Sequence, residues 1–348
     1  MVIDIAGRRI GAGARCLIIA EAGVNHDGSP ERAHALVAAA AAAGADAVKF
    51  QTFRAEDLVT ASARKAAYQV AATGADDGQM TMLKGLELPL ETFRALKEDA
   101  EARGLLFLST PFDLGSARFL ADLGMPALKV PSGELTNLPF LAALAAFGLP
   151  MLVSTGMSDL AEVEDAVAII RAHGAPPLAL FHCVSAYPAP PAAYNLRALD
   201  TMRAALGVPV GLSDHTQGFA VALAAVARGA DLVEKHLTLD CTLPGPDHAA
   251  SLEPAAFTDL VAQIRAVEAA LGDGIKRPAP CERDVAQVAR RSVVVARDLP
   301  GGHRLASGDL VLKRPASGIA PRELTALPGR VLKRPVAADQ ALAWDDLT

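Results

Sequence analysis

Between Leu17 and His236 the chain repeats one pattern eight times. A short apolar run closes in polar residues, and in most cases an alanine-rich amphipathic stretch follows. The runs are 17–20, 47–50, 105–108, 127–130, 151–153, 178–181, 208–212 and 232–234. Helical periodicity follows at 30–43, 91–103, 115–123, 159–173 and 217–228. Short buried strands alternating with helices predict a parallel sheet. Eight such units in about 260 residues predict a (β/α)8 TIM barrel rather than an open doubly wound sheet. No GxGxxG or GxxxxGK[ST] loop follows any run, which argues against dinucleotide and P-loop chemistry.

The pattern stops near residue 271. The stretch 272–284, GDGIKRPAPCERD, reads as a linker between a domain at 1–271 and a second at 285–348. The tail is β-like and turn-rich, and it repeats itself at an offset of 37 residues. Val294, Arg297, Leu305, Ala306, Asp309 and Leu310 recur as Val331, Arg334, Leu342, Ala343, Asp346 and Leu347. Two copies of a strand–turn unit predict a small pseudo-symmetric β module, which buries little surface alone and is expected to dock.

Composition narrows the partners. The 348 residues are 51% apolar with a net charge of −6, enough to build a core and the wrong sign for a nucleic-acid or anionic-membrane surface. The most apolar run, 33–45, is mostly alanine and too short to span a bilayer. The N-terminus lacks the order of a secretory signal, and Cys16, Cys183, Cys241 and Cys281 form no Cys-x-x-Cys motif. The expected location is the cytoplasm.

In such a barrel the active site lies at the carboxyl ends of the strands. The residues closing the runs are Glu21, then Lys49 and Gln51, then Ser109 and Thr110, then Lys129 with Ser132 and Glu134. Ser154, Ser185 with Tyr187, Ser213 with His215, and Glu234 with His236 complete the ring. Loops are polar in any fold, so one such residue means little, but ionisable groups here close strand after strand. His215 and His236 end adjacent strands and can share a metal ion; the bland alternative is a core or general-base histidine. Lys49 and Lys129 need an anion inside a barrel, which can be a neighbouring carboxylate or a substrate phosphate. A Schiff-base lysine is the competing reading. The proline-braced loop PGPDH at 244–248 holds Asp247 for a substrate hydroxyl, or is a plain turn.

These residues carry a resemblance. The stretches AEAGVNHDG (20–28), AVKFQ (47–51), STPFD (109–113), KVPSGE (129–134) and STGM (154–157) resemble the N-acylneuraminate (sialic acid) synthases. So do GLSDHT (211–216), EKH (234–236), PGPDH (244–248) and the tail motif KRPASGI (313–319). The resemblance runs from about residue 15 to 347. It implies a TIM barrel followed by a small SAF (antifreeze-like, β-clip) domain, in a domain-swapped homodimer. It further implies condensation of phosphoenolpyruvate with an open-chain N-acylmannosamine-type sugar and water, giving a nonulosonic acid and phosphate.

By the same resemblance His215 and His236 bind a divalent metal, Mn2+ with Mg2+ or Co2+ as alternatives. Lys129, Lys49, Thr110, Ser132, Ser154 and Ser213 hold phosphoenolpyruvate. Gln51, Tyr187 and Asp247 meet the sugar, Arg314 reaches its acylamino group across the dimer, and Glu21 and Glu134 are the catalytic carboxylates. Lys129 acts as a charge in this scheme. The chain departs from the family pattern at Ser185, where Asn is common, and at Thr81, where Glu is usual. Both departures bear on the acceptor. Legionaminate or pseudaminate synthase, acting on a 2,4-diacetamido-trideoxyhexose, and sialic acid 9-phosphate synthase are therefore carried as alternatives. A lysine-dependent pyruvate aldolase and a catalytically dead binding protein are the rivals from other classes.

Overall fold

The fully buried apolar runs form the strands of a parallel ring. The structure is a computed structural model that describes residues 1–74 and 77–348. It divides into two compact units, Met1–Gly272 and Asp273–Thr348.

A hairpin of β1 (Val2–Ile5) and β2 (Arg8–Gly11) opens the first unit. It was not expected from the sequence, although Ile3 and Ile5 alternate with exposed neighbours and Ala6-Gly7 turns through positive φ, as a tight hairpin requires. Then follow β3 (Leu17–Gly23), β4 (Ala47–Thr52), β5 (Leu106–Pro111) and β6 (Leu128–Val130). The set closes with β7 (Met151–Ser154), β8 (Leu178–Cys183), β9 (Val210–Asp214) and β10 (Leu232–His236). Their order is β5-β4-β3-β10-β9-β8-β7-β6, and β5 packs against β6 across the remaining seam. This is the expected TIM-type barrel. Burial of every residue in β3, β7, β9 and β10 reflects helices outside and packed side chains inside.

Local chemistry sets the helix starts. Ser29 accepts a hydrogen bond from the Arg32 amide ahead of Pro30, opening the helix Pro30–Ala42. Asp159 and Glu162 form a reciprocal capping box at the start of Leu160–Ala172, at 3.0 Å each way. Each such cap stabilises by about 1 kcal/mol. Residues 33, 36, 37 and 40 of the first helix fall on one face and are buried against the sheet. Between β4 and the helix Leu90–Ala102, the chain inserts three short helices, Ala55–Leu58, Ala67–Thr73 and Gln79–Leu86. The sequence reading assigned no elements there.

The second unit has its own core, in which Val293, Leu305, Leu310, Leu332, Leu342 and Leu347 are buried together. Residues 280–282 form a turn and Arg283–Ala289 a helix, so the linker segment 272–284 carries some structure. Strands β11 (Ser292–Val295) and β12 (Leu310–Lys313) pair antiparallel. The internal repeat is a structural one. Leu299 and Val336, 37 residues apart, exchange both backbone hydrogen bonds at 2.9 Å, as residues on a pseudo-twofold axis do. Arg297 pairs with Asp309, and Arg334 pairs with Asp346. No helix among the described residues is long and apolar enough to cross a membrane.

Candidate active site

Seven of the eight apolar runs are continued or shifted at their carboxyl ends by residues that face the barrel mouth. β3 runs on through Glu21 to Gly23, β4 through Lys49 and Gln51, and β10 through His236. Side chains two residues apart share a face, so Lys49 with Gln51, and Glu234 with His236, enter the barrel together. Parallel register sets Glu21 between His236 on one side and Lys49 on the other. A bulge at Ala22, with Gly23 at φ 53°, shifts the register before the last pair, Gly23 with Phe50.

At the floor of the mouth two carboxylates alternate with two ammonium groups. Lys49 Nζ lies 2.7 Å from Glu21 Oε2 and 3.7 Å from Glu234 Oε2, and it donates to Thr110 Oγ1 at 3.1 Å. Lys129 Nζ lies 3.6 Å from Glu234 Oε1 and donates to Ser154 Oγ at 2.7 Å. All four charged groups are buried. Burial raises the Glu21 carboxyl to about 7, against the pull of Lys49. Burial acts the same way on Glu234, but Lys129 and Lys49 outweigh it and hold that carboxyl below its usual range. Burial opposes the charge on Lys49, yet Glu21 and Glu234 raise its pKa, whereas burial lowers that of Lys129. A carboxyl poised near neutrality suits proton transfer, and two confined ammonium groups suit a small polyanion.

Hydroxyls and amides surround this floor. Ser132 Oγ accepts from the Gly156 amide at 3.0 Å, and Ser213 Oγ donates to Glu234 Oε1 at 3.3 Å. A side chain at Gly156 would collide with the Ser185 and Ser132 hydroxyls, so glycine is required for this close approach. Gln51 Nε2 donates to Glu21 Oε1 at 3.3 Å.

Beside the floor stand the two imidazoles, His215 and His236, with ring centroids 5.3 Å apart. His215 Nδ1 faces the Val184 carbonyl at 2.8 Å and so carries a proton, while Nε2 lies 3.4 Å from the Ser213 hydroxyl. Burial opposes a charge on the ring, but Cys183 and the Val184 carbonyl outweigh it and raise its pKa. The Tyr194 hydroxyl accepts from the His215 amide at 2.6 Å and fixes its backbone. His236 Nδ1 is buried without a hydrogen-bond partner, 3.8 Å from Asp247 Oδ2. Burial, then His215 and Lys49, push the His236 pKa well down, which keeps its ring neutral as a ligand must be. An orphaned buried nitrogen on His236, beside a second imidazole whose Nε2 has only a long contact to the Ser213 hydroxyl, fits a cation. Among the described residues, no group of three or more His, Cys, Asp or Glu side chains is assembled for one, so water or substrate would complete the shell. Asp247 is itself raised to about 6, chiefly by burial.

One cavity of about 490 Å³ collects Glu21, Lys49, Gln51, Thr110, Lys129, Ser132, Ser154, Ser185, Tyr187, Ser213, His215, Glu234, His236 and Asp247. A larger hollow of about 760 Å³ at the opposite end of the barrel, lined by residues 11–16, 207–209 and 229–231, holds none of them. Glu134 is the departure from expectation. Pro131 leads β6 into the tight turn Ser132–Glu134, and the Glu134 carboxylate accepts from Asn137 Nδ2 at 2.7 Å, outside the cavity lining. Glu234 takes the central place instead. Its two-residue spacing from His236 was the available signal. Arg314 belongs to the second unit, where it is exposed at the end of β12.

The fold and this mouth define a TIM-barrel enzyme with a floor of paired lysines and carboxylates and a neighbouring imidazole pair. The chain belongs to the NeuB family, whose model matches residues 36–276, and a SAF domain matches 290–348. The N,N'-diacetyllegionaminic acid synthase of Legionella pneumophila is 44% identical over 341 residues, covering 97% of this chain and 96% of that protein. The human N-acetylneuraminate-9-phosphate synthase is 34% identical, covering 97% and 94%. The crystal structure of N-acetylneuraminic acid (sialic acid) synthetase from Leptospira borgpetersenii, in complex with citrate, superimposes with a TM-score of 0.74 at 34% identity. That match covers 82% of this chain and 95% of the other.

Proposed function

We propose that the protein condenses phosphoenolpyruvate with the open-chain form of an N-acyl amino sugar and water, releasing phosphate and a nonulosonic acid. The observation that carries this reading is the buried quartet Glu21–Lys49–Glu234–Lys129 beside His215 and His236 in one cavity. It is supported by relatives named as synthases of legionaminic, pseudaminic and sialic acid 9-phosphate.

Lys49 and Lys129 take the carboxylate and phosphate of the donor. Thr110, Ser132, Ser154 and Ser213 supply hydroxyls around those anions. Gln51, Tyr187 and Asp247 orient the sugar, and Ser185 stands at its edge. The methylene carbon of the donor forms the new C–C bond to the sugar aldehyde, whose oxygen gains a proton, balanced by the one the attacking water gives up, and becomes a hydroxyl. Water then adds to the carbon that bears the phosphate, and Glu21 takes its proton. Phosphate leaves by C–O cleavage, giving the α-keto acid, so Lys129 acts as a charge throughout. His215 and His236 would hold a divalent cation, Mn2+ with Mg2+ or Co2+ as alternatives, which when bound supplies Lewis-acid polarisation of a carbonyl oxygen. In a domain-swapped homodimer, the partner's Arg314 would meet the acylamino group of the acceptor.

The acceptor is read as unphosphorylated. Among the described residues of this chain lining the cavity, Lys49 and Lys129 are the only lysines or arginines; both are assigned to the donor, and the partner's Arg314 to the acylamino group. Of the related reactions, N-acetylneuraminate and legionaminate synthesis fit this lining better than a 9-phosphate synthase.

The test is phosphate release from phosphoenolpyruvate with N-acetylmannosamine, its 6-phosphate and a 2,4-diacetamido-trideoxyhexose, each with and without EDTA. Release that requires an unphosphorylated amino sugar and stops with EDTA is expected. Borohydride trapping of pyruvate on a lysine, insensitive to EDTA, would establish the aldolase reading instead.

A further inference from the structure

An aromatic stack links the imidazole pair to the inserted helices. The Tyr187 ring lies 4.2 Å from His215 and 5.8 Å from His236, and it stacks on Tyr68 at 5.2 Å with an interplanar angle of 29°. Tyr68 comes from the helix Ala67–Thr73, outside the strand–helix repeat, and it lines the same cavity. Met82, Leu83 and Leu86 from the next inserted helix line it as well. The Tyr68 phenol is pushed up to about 12 by burial and by the Asp247 carboxylate, so its ring stays uncharged.

The cavity is thus graded. One side presents the ammonium groups, and the inserted helices contribute the Tyr68 ring, three aliphatic side chains and the neutral amides of Gln69 and Gln79, with no charged group of their own in the lining. A trianionic donor belongs with the lysines. What remains is suited to an uncharged group with methyl or acyl substance, which packs against ring faces.

We propose that Tyr68 is a specificity-determining residue that packs against the acylated or deoxygenated end of the acceptor sugar. This rests on the condensation reading above and deepens it. The inserted helices then choose the sugar, while the barrel strands run the chemistry. Tyr68 is half-buried and carries no ion pair, so its removal spares the quartet of charges.

The experiment compares the full-length protein with Tyr68→Ala and Tyr68→Phe. It uses phosphoenolpyruvate with N-acetylmannosamine or a 2,4-diacetamido-trideoxyhexose as acceptor. Tyr68→Ala should raise the KM for the preferred acceptor about 10-fold or more, the scale of one lost apolar group in a pocket, and narrow the discrimination between the two sugars. The phosphoenolpyruvate KM should stay within about twofold, and Tyr68→Phe should restore both acceptor KM and discrimination. Equal rises in both KM values, unchanged discrimination, or a Phe variant no better than Ala would overturn the role of Tyr68 alone. Wild-type protein that turns over neither sugar would overturn the condensation reading and this inference with it.

Discussion

Lys49 Nζ sits 2.7 Å from Glu21 and 3.7 Å from Glu234, with all three side chains at most 5% exposed. Confined charges of opposite sign are tolerable in a barrel only as a mutually paired set. A doubly or triply anionic substrate that enters must take the ammonium groups from these carboxylates. Glu21, raised to about 7 and released from Lys49, is then the carboxylate poised to take the proton of the attacking water.

Glu21→Gln keeps the side chain's shape and one acceptor oxygen, toward Lys49 or Gln51, and removes the proton acceptor. The expected outcome is a fall in kcat of about 100-fold or more, with little change in phosphoenolpyruvate KM. Steady-state phosphate release checks it. An unchanged kcat would hand the proton transfer to another group.

His236→Ala and His215→Ala should each abolish turnover and weaken Mn2+ binding, measured by calorimetry on the purified protein. Full activity in EDTA-treated variants would return both rings to a structural role. Their ring separation of 5.3 Å is the reason to expect the two losses to match.

Lys235 and Asp214 point away from the mouth and form a fully buried pair at 3.2 Å. Lys235 also donates to the Thr216 carbonyl at 2.5 Å, while Asp214 accepts from the Thr216 amide and hydroxyl, so the pair clamps the loop that carries His215. Lys235→Met leaves Asp214 buried and unpaired, and should cost about 3–5 kcal/mol of stability. Urea unfolding measures this; a loss below about 1 kcal/mol would show that the loop relaxes to solvate Asp214.

The second unit has a pH signature. Asp309 accepts from the Ala306 amide, His303 and Arg297, which together hold its carboxyl down at about 2. A depressed carboxyl contributes stability above its ordinary pKa of 3.8, and that contribution is lost as pH falls through about 2. Trp344 is the single tryptophan and lies in this unit, so its fluorescence reports on that unit. Denaturant midpoints read by Trp344 should fall between pH 5 and 2. Asp309→Asn should lower the midpoint at pH 7 and flatten that slope. A slope unchanged by Asp309→Asn would move the effect to Asp346, which makes the matching contacts to Ala343 and Arg334.

The sequence order of apolar run and amphipathic helix already specified the barrel, because a strand buried on both faces must be apolar and its crossover helix must be one-sided. The tail repeat was legible for a similar reason, since both copies fill one small core and Asp309 and Asp346 cap equivalent turns. The run boundaries at 20, 50 and 234 fell short because hydrophobicity ends where the strand turns its polar residues into the mouth, not where its hydrogen bonding ends. Tyr68 and the helices at 55–86 left no periodic signal long enough to read.

The linear chain therefore settled which residue types close each strand, and with them the family and the kind of chemistry. Only the folded ring decided that Glu234 rather than Glu134 joins Glu21 around the lysines, and that Tyr68 stacks on Tyr187 beside the imidazoles. Parallel register and side-chain alternation determine which strand-end groups meet, and those are properties of neighbouring strands that no single segment contains.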